Sequence, residues 1–374
     1  MSGGSPSEMS PAAEFIAGNV DLLSEILLRV PAKSLIRFKS VSRHWLSLIS
    51  HSQFSATHAS RNHSPSISGF YVYNWGPLES VSLLGRKNLP SLSFLDGCEG
   101  IYCRPTIRKS CNGLLLCKAG IDKYIVCNVV TQKYKLLPSS CLSVCPTYFN
   151  DDAYLGFDPL KSSHYKVFVC YKRCDSPWSF EIHMYNSEDG IWKKIIPPVT
   201  CRVRSVLWNG AIYMPSQSNE NVLLRFDVDA EEMIALPFPS TPGMRSDGSI
   251  MYIGESGGCL ILIQNSLNPS KGFAILELGS DTSRIVKYWV DCRTMACEFP
   301  EMEESFMFDF EVLCVVKGKE NGDYTLVLAI LEKLVSYNVR CNTFNVLRHL
   351  GGDKWRKSID RCCVFPLLET LSPI

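Results

Sequence analysis

The sequence predicts an α + β multidomain protein in which a small N-terminal unit of three short helices precedes an all-β propeller. Two observations predict this division. Apolar residues recur at helical steps over residues 19–54, whereas residues 66–366 alternate apolar runs of about four to eight residues with turn-forming clusters. A third observation is a weak internal repeat in the second region, which favours repeated blades over one open sheet.

The chain begins with residues 1–18, which are rich in Ser, Gly, Pro and Ala and are predicted to form a disordered tail. The first predicted helix carries its apolar residues on one face: Leu23, Ile26, Leu27 and Val30. Asn19 is a candidate N-cap for this helix, and Pro31 ends it. Ser34 and Ser42 are expected to cap the second and third helices.

This helical segment is too small to bury a stable core of its own, so it either packs on the rest of the chain or presents an apolar face to a partner. Basic side chains outnumber acidic ones: Arg29, Lys33, Arg37, Lys39 and Arg43 against Asp21 and Glu25. A basic rim around apolar anchors favours an acidic partner, because opposite potentials steer the encounter.

The segment from Asp21 to Trp45 resembles the F-box, the module through which receptor subunits of ubiquitin ligases bind the Skp adaptor of a cullin complex. The residues at the family's spacing are Leu23, Ile26, Leu27, Pro31, Lys33, Leu35, Arg37, Val41 and Trp45. The resemblance implies an adaptor-binding set of Leu23, Ile26, Leu27, Pro31, Leu35, Val41 and Trp45. The family usually opens with Leu-Pro, and this chain has Gly18-Asn19 there, which removes one apolar anchor and a helix-starting proline.

Residues 55–65 are predicted to be a linker, residues 66–366 a propeller domain and residues 367–374 a short tail. Each repeat of the propeller region contains a strand, a turn led by Asn or Asp, and a second strand. The turn-leading residues are Asn128, Asn186, Asp227 and Asn338. Such side chains suit turns because they bond the backbone two residues on and tolerate left-handed geometry. A repeat of about 50 residues is typical of kelch-like propellers.

Several pieces of this region resemble the F-box associated domain of plant F-box proteins, a kelch-like β-propeller: residues 110–116 (SCNGLLL), 155–159 (LGFDP), 165–167 (YKV) and 208–213 (WNGAIY). The resemblance covers most of residues 66–350. It implies a non-catalytic substrate-recognition subunit of an SCF-type (Skp-cullin-F-box) ubiquitin ligase. The F-box would bind the adaptor and, through it, the cullin and RING subunits, while the propeller would bind an unknown target protein for ubiquitination and degradation.

Two alternatives remain. One is a propeller interaction scaffold whose degenerate F-box does not bind the adaptor. The other is a serine hydrolase, because residues 254–258 (GESGG) fit the nucleophile-elbow motif around Ser256. The remaining members of a triad would be Asp291 or Asp323 and His349. An elbow requires a helix after the serine, whereas Cys259 begins an apolar run typical of a strand, so Ser256 is predicted to lie in a hairpin turn.

Composition and the spacing of cysteines and histidines exclude further classes of function. The net charge of +1 excludes nucleic-acid binding by bulk charge, and no apolar run reaches the ~18 residues of a membrane span. The 17 cysteines contain no CxxC pair, so reduced core thiols are predicted. The histidines at 44, 51, 58 and 63 lack a metal-binding step and are predicted to be solvated. Neither a metal nor a cofactor is expected.

Localisation and target recognition are less constrained by the sequence. No secretory signal and no clear basic localisation run is visible, so the cytoplasm, the nucleus or both are expected. Trp75, Tyr148 and Trp178 stand in loop-like surroundings and are candidates for a recognition surface, because interfaces are enriched in aromatic residues. Packing in the strand core is an equally good interpretation of each.

Overall fold

The computed structural model describes residues 15–16, 18–62, 67–73, 78–83, 89–101, 103–120, 122–139, 152–172, 180–195, 205–215, 222–237, 250–266, 272–279, 285–302, 310–318, 320, 322–330, 332–349 and 363–374. The molecule is described over these residues. Among them, no helix combines the length and the apolar character needed to cross a membrane.

Four short helices that lie wholly within the described residues form an N-terminal helical module: α1 (Val20–Leu27), α2 (Ala32–Phe38), α3 (Arg43–Ser50) and α4 (Ser52–Arg61). The predicted caps of α1 and α3 are confirmed. The side chain of Asn19 accepts hydrogen bonds from two backbone N–H groups of the first turn, and that of Ser42 accepts one from Trp45. The predicted cap of α2 is wrong, because the helix begins after Pro31, whose fixed φ suits a helix start, and Ser34 lies inside it.

Helix α4 is a correction to the predicted linker at residues 55–65. Its buried side chains are Phe54 and His58, and most of its other residues are small or polar. An apolar periodicity therefore does not mark this helix in the sequence. It is held by tertiary contacts with α1.

The strands of the described residues are β1 (Ile67–Tyr73), β2 (Glu79–Ser82), β3 (Thr106–Cys111), β4 (Leu114–Lys118), β5 (Tyr124–Asn128), β6 (Lys133–Leu136), β7 (Asp152–Gly156), β8 (Lys166–Lys172), β9 (Phe180–Asn186), β10 (Ile191–Ile195), β11 (Val206–Trp208), β12 (Ala211–Pro215), β13 (Val222–Asp227), β14 (Glu232–Pro237), β15 (Ile250–Ser256), β16 (Cys259–Asn265), β17 (Phe273–Leu278), β18 (Ile285–Val290), β19 (Phe310–Lys317), β20 (Tyr324–Ile330), β21 (Lys333–Asn338), β22 (Thr343–His349) and β23 (Cys363–Leu368). A further helix, α5 (Cys292–Glu298), lies between β18 and β19.

Five antiparallel four-stranded meanders form blades 1 to 5, from β3–β6 to β19–β22. The closing blade has the described order β2-β1-β23 and pairs the first strands with the last, with Ile67 opposite Leu368. The first strand of each blade contacts that of the next, so that β3, β7, β11, β15, β19 and β23 form a closed ring. This architecture is a six-bladed β-propeller behind a helical module, which confirms the predicted fold class.

The core of the propeller lies between the blades. Leu114 and Leu116 of β4 pack toward blade 2, whereas the alternate residues Leu115 and Cys117 pack toward the closing blade. Because both faces of such a strand are buried, the sequence shows continuous apolar runs rather than alternation. The cluster between blade 1 and the closing blade also contains the buried residues of the helical module, so one core joins the two domains.

The propeller has two unlike edges, because turns in an antiparallel meander alternate between opposite ends of the strands. At the tight-turn edge, connections are as short as residues 112–113, 209–210 and 257–258. The connections between blades join strand ends at the other edge, the long-connection edge. They comprise residues 137–151, 196–205, 238–249, 291–309 and 350–362.

The helical module lies toward the tight-turn edge. The inner strand β23 ends there at Leu368, and its partner Ile67 begins β1 there, shortly after α4. Burial and the nearby positive charge of Lys133, which begins β6 at the same edge, both lower the pKa of Lys39 at the end of α2. The helical module and the strand ends of the long-connection edge are therefore on opposite sides of the propeller.

The predicted tail at residues 367–374 is a second correction. Leu367 belongs to β23, and Leu371 and Ser372 are buried. This segment is too short to show a periodic pattern, and its burial depends on contacts with blade 1.

Candidate functional site

The structure divides the seven residues of the predicted adaptor-binding set. Leu23, Leu27 and Leu35 are buried in the core shared with the propeller. Trp45 is half-buried against Phe38, with ring centroids 5.6 Å apart. The members that face solvent are Ile26, Pro31 and Val41.

Other apolar side chains of the helical module are exposed and were missed by the sequence reasoning: Val20, Leu22 and Leu46. Ile26 and Val41 remain 48% and 59% exposed. Several large apolar side chains at this level of exposure within one short segment are typical of an interaction site rather than of a surface that stays in contact with water. The exposed apolar set is therefore Val20, Leu22, Ile26, Val41 and Leu46.

Helix α4 packs against the C-terminal end of α1 and hydrogen-bonds the residues that follow it. The ring Nε2 of His58 lies 2.9 Å from the backbone oxygen of Val30, and Asn62 Nδ2 donates to Leu28 at 3.4 Å. Arg61 donates two hydrogen bonds to the carboxylate of Glu25, and these bonds lower the pKa of that carboxyl. His58 is thus a buried structural residue, which corrects its prediction as a solvated histidine.

A cavity of about 300 Å³ lies beside the closing blade. Its lining combines buried apolar side chains, including Tyr71 and Leu89, with polar residues such as Ser80, Asp96 and Arg104. This volume is at the lower end of ligand-sized sites. Of the predicted recognition residues, Trp75, Tyr148 and Trp178 lie outside the described residues.

A polar network joins blades 4 and 5. Lys317 Nζ lies 2.6 Å from Glu277 Oε1, and the hydroxyl of Tyr324 donates to the other carboxylate oxygen. Burial alone would raise the pKa of Glu277, but hydrogen bonds from Lys317, Tyr324 and Cys259 lower it overall. The carboxylate is therefore held ionised as a structural partner, with its oxygens engaged within the protein.

A second buried group lies between blades 1 and 2. His183 contacts Glu181 at 3.6 Å and packs edge-on against Tyr171, while Lys194 pairs with Glu181 at 2.8 Å. Burial lowers the pKa of His183, and Lys194 adds to this, although Glu181 acts in the opposite direction. The imidazole is accordingly neutral at pH 7.

The candidate nucleophile Ser256 lies in the predicted hairpin turn. It ends β15, and Gly257 and Gly258 adopt φ values of +59° and +77° before β16 begins. Its Oγ accepts a hydrogen bond of 2.9 Å from the backbone N–H of Lys317, which links blades 4 and 5. The setting is strand–turn–strand, so the elbow geometry needed to raise a serine nucleophile is not formed.

The other candidates for a triad have separate roles. Asp291 caps α5 and pairs with Arg293, Asp323 accepts a hydrogen bond from Asn338, and His349 ends β22. Over the described ranges, no hydrogen bond connects Ser256 to any of these three residues, and no group of three or more His, Cys, Asp or Glu side chains forms a metal-binding cluster.

The described cysteines match the prediction of core thiols in part. Cys117, Cys127, Cys170 and Cys314 are buried, and Cys259 is half-buried with its Sγ 3.3 Å from a Glu277 oxygen. Burial raises the pKa of Cys314 to about 12, so that thiol stays protonated.

Comparisons with known proteins agree with this architecture. The F-box domain matches residues 19–56, and the F-box associated beta propeller domain matches residues 92–338. F-box protein At5g07610 of Arabidopsis thaliana is 31% identical over 378 residues, covering 90% of this chain and 87% of that protein. F-box protein At5g49610 of the same organism is 28% identical over 283 residues, covering 71% of this chain and 77% of that protein. The chain therefore belongs to the F-box proteins that carry an F-box associated β-propeller domain.

Proposed function

We propose that this protein is a substrate-recognition subunit of an SCF-type ubiquitin ligase. The helical module binds a Skp-type adaptor, and the propeller holds a target protein close to the ubiquitin-loaded partner, so that the target is ubiquitinated and degraded. The contribution of the chain to the chemistry is positioning, because tethering two proteins raises their effective concentration. An F-box domain implies adaptor binding in general; the assembly with cullin and RING subunits is part of the proposal.

One observation carries the proposal: an F-box match at residues 19–56 coincides with a helical module whose exposed apolar set has no partner in the described parts of the chain. Burying Ile26 and Val41 on an adaptor would remove their apolar surface from water, which is favourable. The exposed basic residues Arg29, Arg37 and Arg43 supply the rim that steers an acidic partner.

The placement of the two edges supports a division of labour. The helical module lies toward the tight-turn edge, so adaptor binding leaves the long-connection edge accessible. We assign target binding to the long-connection edge, because rigid blades with variable connections are a common way to build recognition surfaces. A target bound there would be held on the side of the propeller away from the adaptor.

The test is co-expression of the full chain with a Skp-type adaptor, followed by size-exclusion chromatography. We expect a stoichiometric complex that is lost in an Ile26→Asp/Val41→Asp variant, because two charges would be buried in an apolar interface. The control is Ile191→Asp/Ile234→Asp, which places the same charges at exposed positions of β10 and β14. This control should bind the adaptor as the unmodified chain does.

Failure of the unmodified, folded chain to bind the adaptor would overturn the receptor proposal and favour a propeller scaffold. In that case Gly18-Asn19, which stands where the family usually has Leu-Pro, would be the first position to restore. If the complex forms, reconstitution with cullin and RING subunits then tests whether proteins captured by the propeller become ubiquitinated.

A further inference from the structure

Asn128 makes a contact that is not found, within the described part of the chain, for the equivalent residues Asn186 and Asp227. Like Asn186 and Asp227, it leads a turn at the tight-turn edge, and its Oδ1 accepts hydrogen bonds from the backbone N–H groups two and three residues on. Asp227 performs this task with a carboxylate, so the turn itself needs only an acceptor oxygen. The turn therefore does not explain why the side chain at position 128 carries an amide nitrogen.

That nitrogen binds the segment at residues 369–374, which we call the strap. Asn128 Nδ2 donates to the backbone oxygen of Thr370 at 3.1 Å and to that of Ser372 at 3.0 Å. Asn128 is fully buried, so both bonds are shielded from water. An amide with two N–H donors is the side chain that can satisfy two carbonyl oxygens while its oxygen serves the turn.

The strap is packed against blade 1 from a second side. Gly113, in the turn between β3 and β4, has a φ of +86°, and a Cβ placed on it would lie 2.2 Å from Thr370 Oγ1. A side chain at position 113 would therefore displace the strap. Ser110 adds a hydrogen bond from its Oγ to the backbone oxygen of Pro366, just before the strap begins.

The strap also contributes to the core that the helical module shares with the propeller. Leu371 belongs to the buried cluster that contains Leu23, Leu27 and Leu35 together with residues of blade 1. Ile374 packs against this cluster and also against the cluster between blades 1 and 2. The strap is therefore embedded in the core where the helices meet the propeller.

We infer that Asn128 is a positioning residue that clamps the strap and thereby holds the helical module in one orientation on the propeller. A fixed orientation matters because a receptor must present its target at a defined place relative to the adaptor, and this consequence rests on the proposed function. The orientation itself does not, and it can be measured in the isolated chain.

The test uses two variants. Asn128→Asp keeps the acceptor oxygen that the turn needs but replaces the two N–H donors with an oxygen facing two carbonyls. Deletion of residues 369–374 removes the strap and leaves the pairing of Ile67 with Leu368 in place. The matched control is Asn186→Asp, where the same substitution is made in a turn without a strap.

The measurement is the yield of a short amine-reactive crosslink between Lys39 and Lys133, which connects α2 to blade 1. We expect this yield to fall at least threefold in Asn128→Asp and in the deletion variant, and to stay unchanged in Asn186→Asp. A crosslink between Lys118 and Lys123, across the β4–β5 turn, reports whether blade 1 is intact.

An unchanged Lys39–Lys133 yield in both variants, with the Lys118–Lys123 crosslink retained, would overturn the inference. Measuring adaptor binding in the same variants distinguishes failure of this inference from failure of the proposed function. We expect both variants to bind the adaptor as the unmodified chain does, because neither alters the exposed apolar set. If no form of the chain binds the adaptor, including the unmodified one, the proposed function is rejected and the crosslink result still stands.

Discussion

Among single residues, buried polar side chains of this propeller form hydrogen bonds and ion pairs that link neighbouring blades. One such link joins Glu277 to Lys317 and Tyr324. Another is the hydrogen bond that Ser256 accepts from the backbone of Lys317. A motif that fits a nucleophile elbow is here a hairpin turn whose hydroxyl serves as an acceptor. The role of the Ser256 hydroxyl is thus decided by the atoms around it and not by the sequence motif in which it stands.

The ion pair between Glu277 and Lys317 predicts that loss of the Glu277 charge has a large effect on stability. The side chains of Glu277 and Lys317 are only 14% and 18% exposed, so Glu277→Gln leaves a poorly solvated lysine without its counter-charge. We expect the free energy of unfolding to fall by about 2 to 4 kcal/mol in urea denaturation. Glu231→Gln breaks an exposed pair with Lys193 and should cost less than about 1 kcal/mol. Equal losses in the two variants would contradict the structural role assigned to Glu277.

The buried His183 predicts a pH dependence of stability. Its folded pKa lies below the ordinary histidine value of 6.5, so the unfolded chain takes up a proton more readily. Stability from this residue is present above about pH 6.5 and is lost as pH falls through the folded pKa. There the buried imidazole must become charged close to Lys194, and the favourable interaction with Glu181 offsets this cost only in part. Thermal unfolding between pH 5 and pH 7.5 should show this loss, and His183→Phe should reduce it.

The exposed His164 provides the control for that experiment. His164→Phe makes the same substitution at an exposed position outside the buried group around His183, so it should leave the pH dependence as it is in the unmodified chain. A loss of stability below pH 6.5 that persists fully in His183→Phe would assign the effect to other groups.

At the scale of elements, helix α4 completes the helical module by occupying the backbone oxygens at the end of α1. His58→Ala combined with Asn62→Ala leaves the oxygens of Val30 and Leu28 without these donors, which costs about 1 to 3 kcal/mol for a buried group. Hydrogen exchange should accelerate in α1 while the strands of blade 3 keep their protection. Unchanged exchange in α1 would mean that α4 is not needed to hold it.

The closing blade is the element that converts a row of sheets into a ring. Leu367 of β23 is fully buried where this blade meets blade 1. Leu367→Ala should lower the free energy of unfolding by about 2 to 5 kcal/mol, through lost apolar contact and the cavity left behind. Leu160→Ala, at an exposed turn position, should change it by less than about 0.5 kcal/mol. A small effect at Leu367 in urea denaturation would argue that closure is not limiting for stability.

At the scale of the whole molecule, the helical module and the propeller share a core. The cluster that contains Leu27 and Leu35 continues into Leu115 and Ile125 of blade 1 and Phe365 of the closing blade. Two units joined in this way should unfold together, in contrast to domains connected by a flexible linker.

The corresponding prediction is a single calorimetric transition for the full chain. Leu27→Ala, in the helical module, should lower the unfolding temperature of the strand signal as well as that of the helical signal, because the lost packing belongs to both. The exposed Leu22→Ala serves as the control and should leave both signals unchanged. Two separate transitions, of which only one responds to Leu27→Ala, would contradict a shared core.

The order of the residues is enough to predict the division into helices and strands, the F-box resemblance and the caps at Asn19 and Ser42. It also identified the turn-leading residues Asn128, Asn186 and Asp227, whose side chains bond the backbone as predicted. All of these depend on interactions between residues within one turn of each other or on a periodic pattern. Such signals are present in the order of the residues alone.

Which apolar residues of the helical module are exposed depends on tertiary contacts. Leu23 and Ile26 lie on the same helix at neighbouring positions of the apolar stripe, yet the first is buried and the second is not. The distinction arises because blade 1 and the closing blade cover part of the stripe, and their residues are far away in the chain. The sequence pattern records that a residue is apolar, but not which surface covers it.

The same reason explains the other features that the sequence did not reveal. Helix α4, the pairing of Ile67 with Leu368 and the clamp of Asn128 on the strap all join segments that are distant in sequence. Contacts of this kind leave no periodicity in a single sequence, because each partner would be compatible with other surroundings on its own. They become visible only when the ring of six blades closes and brings the partners together.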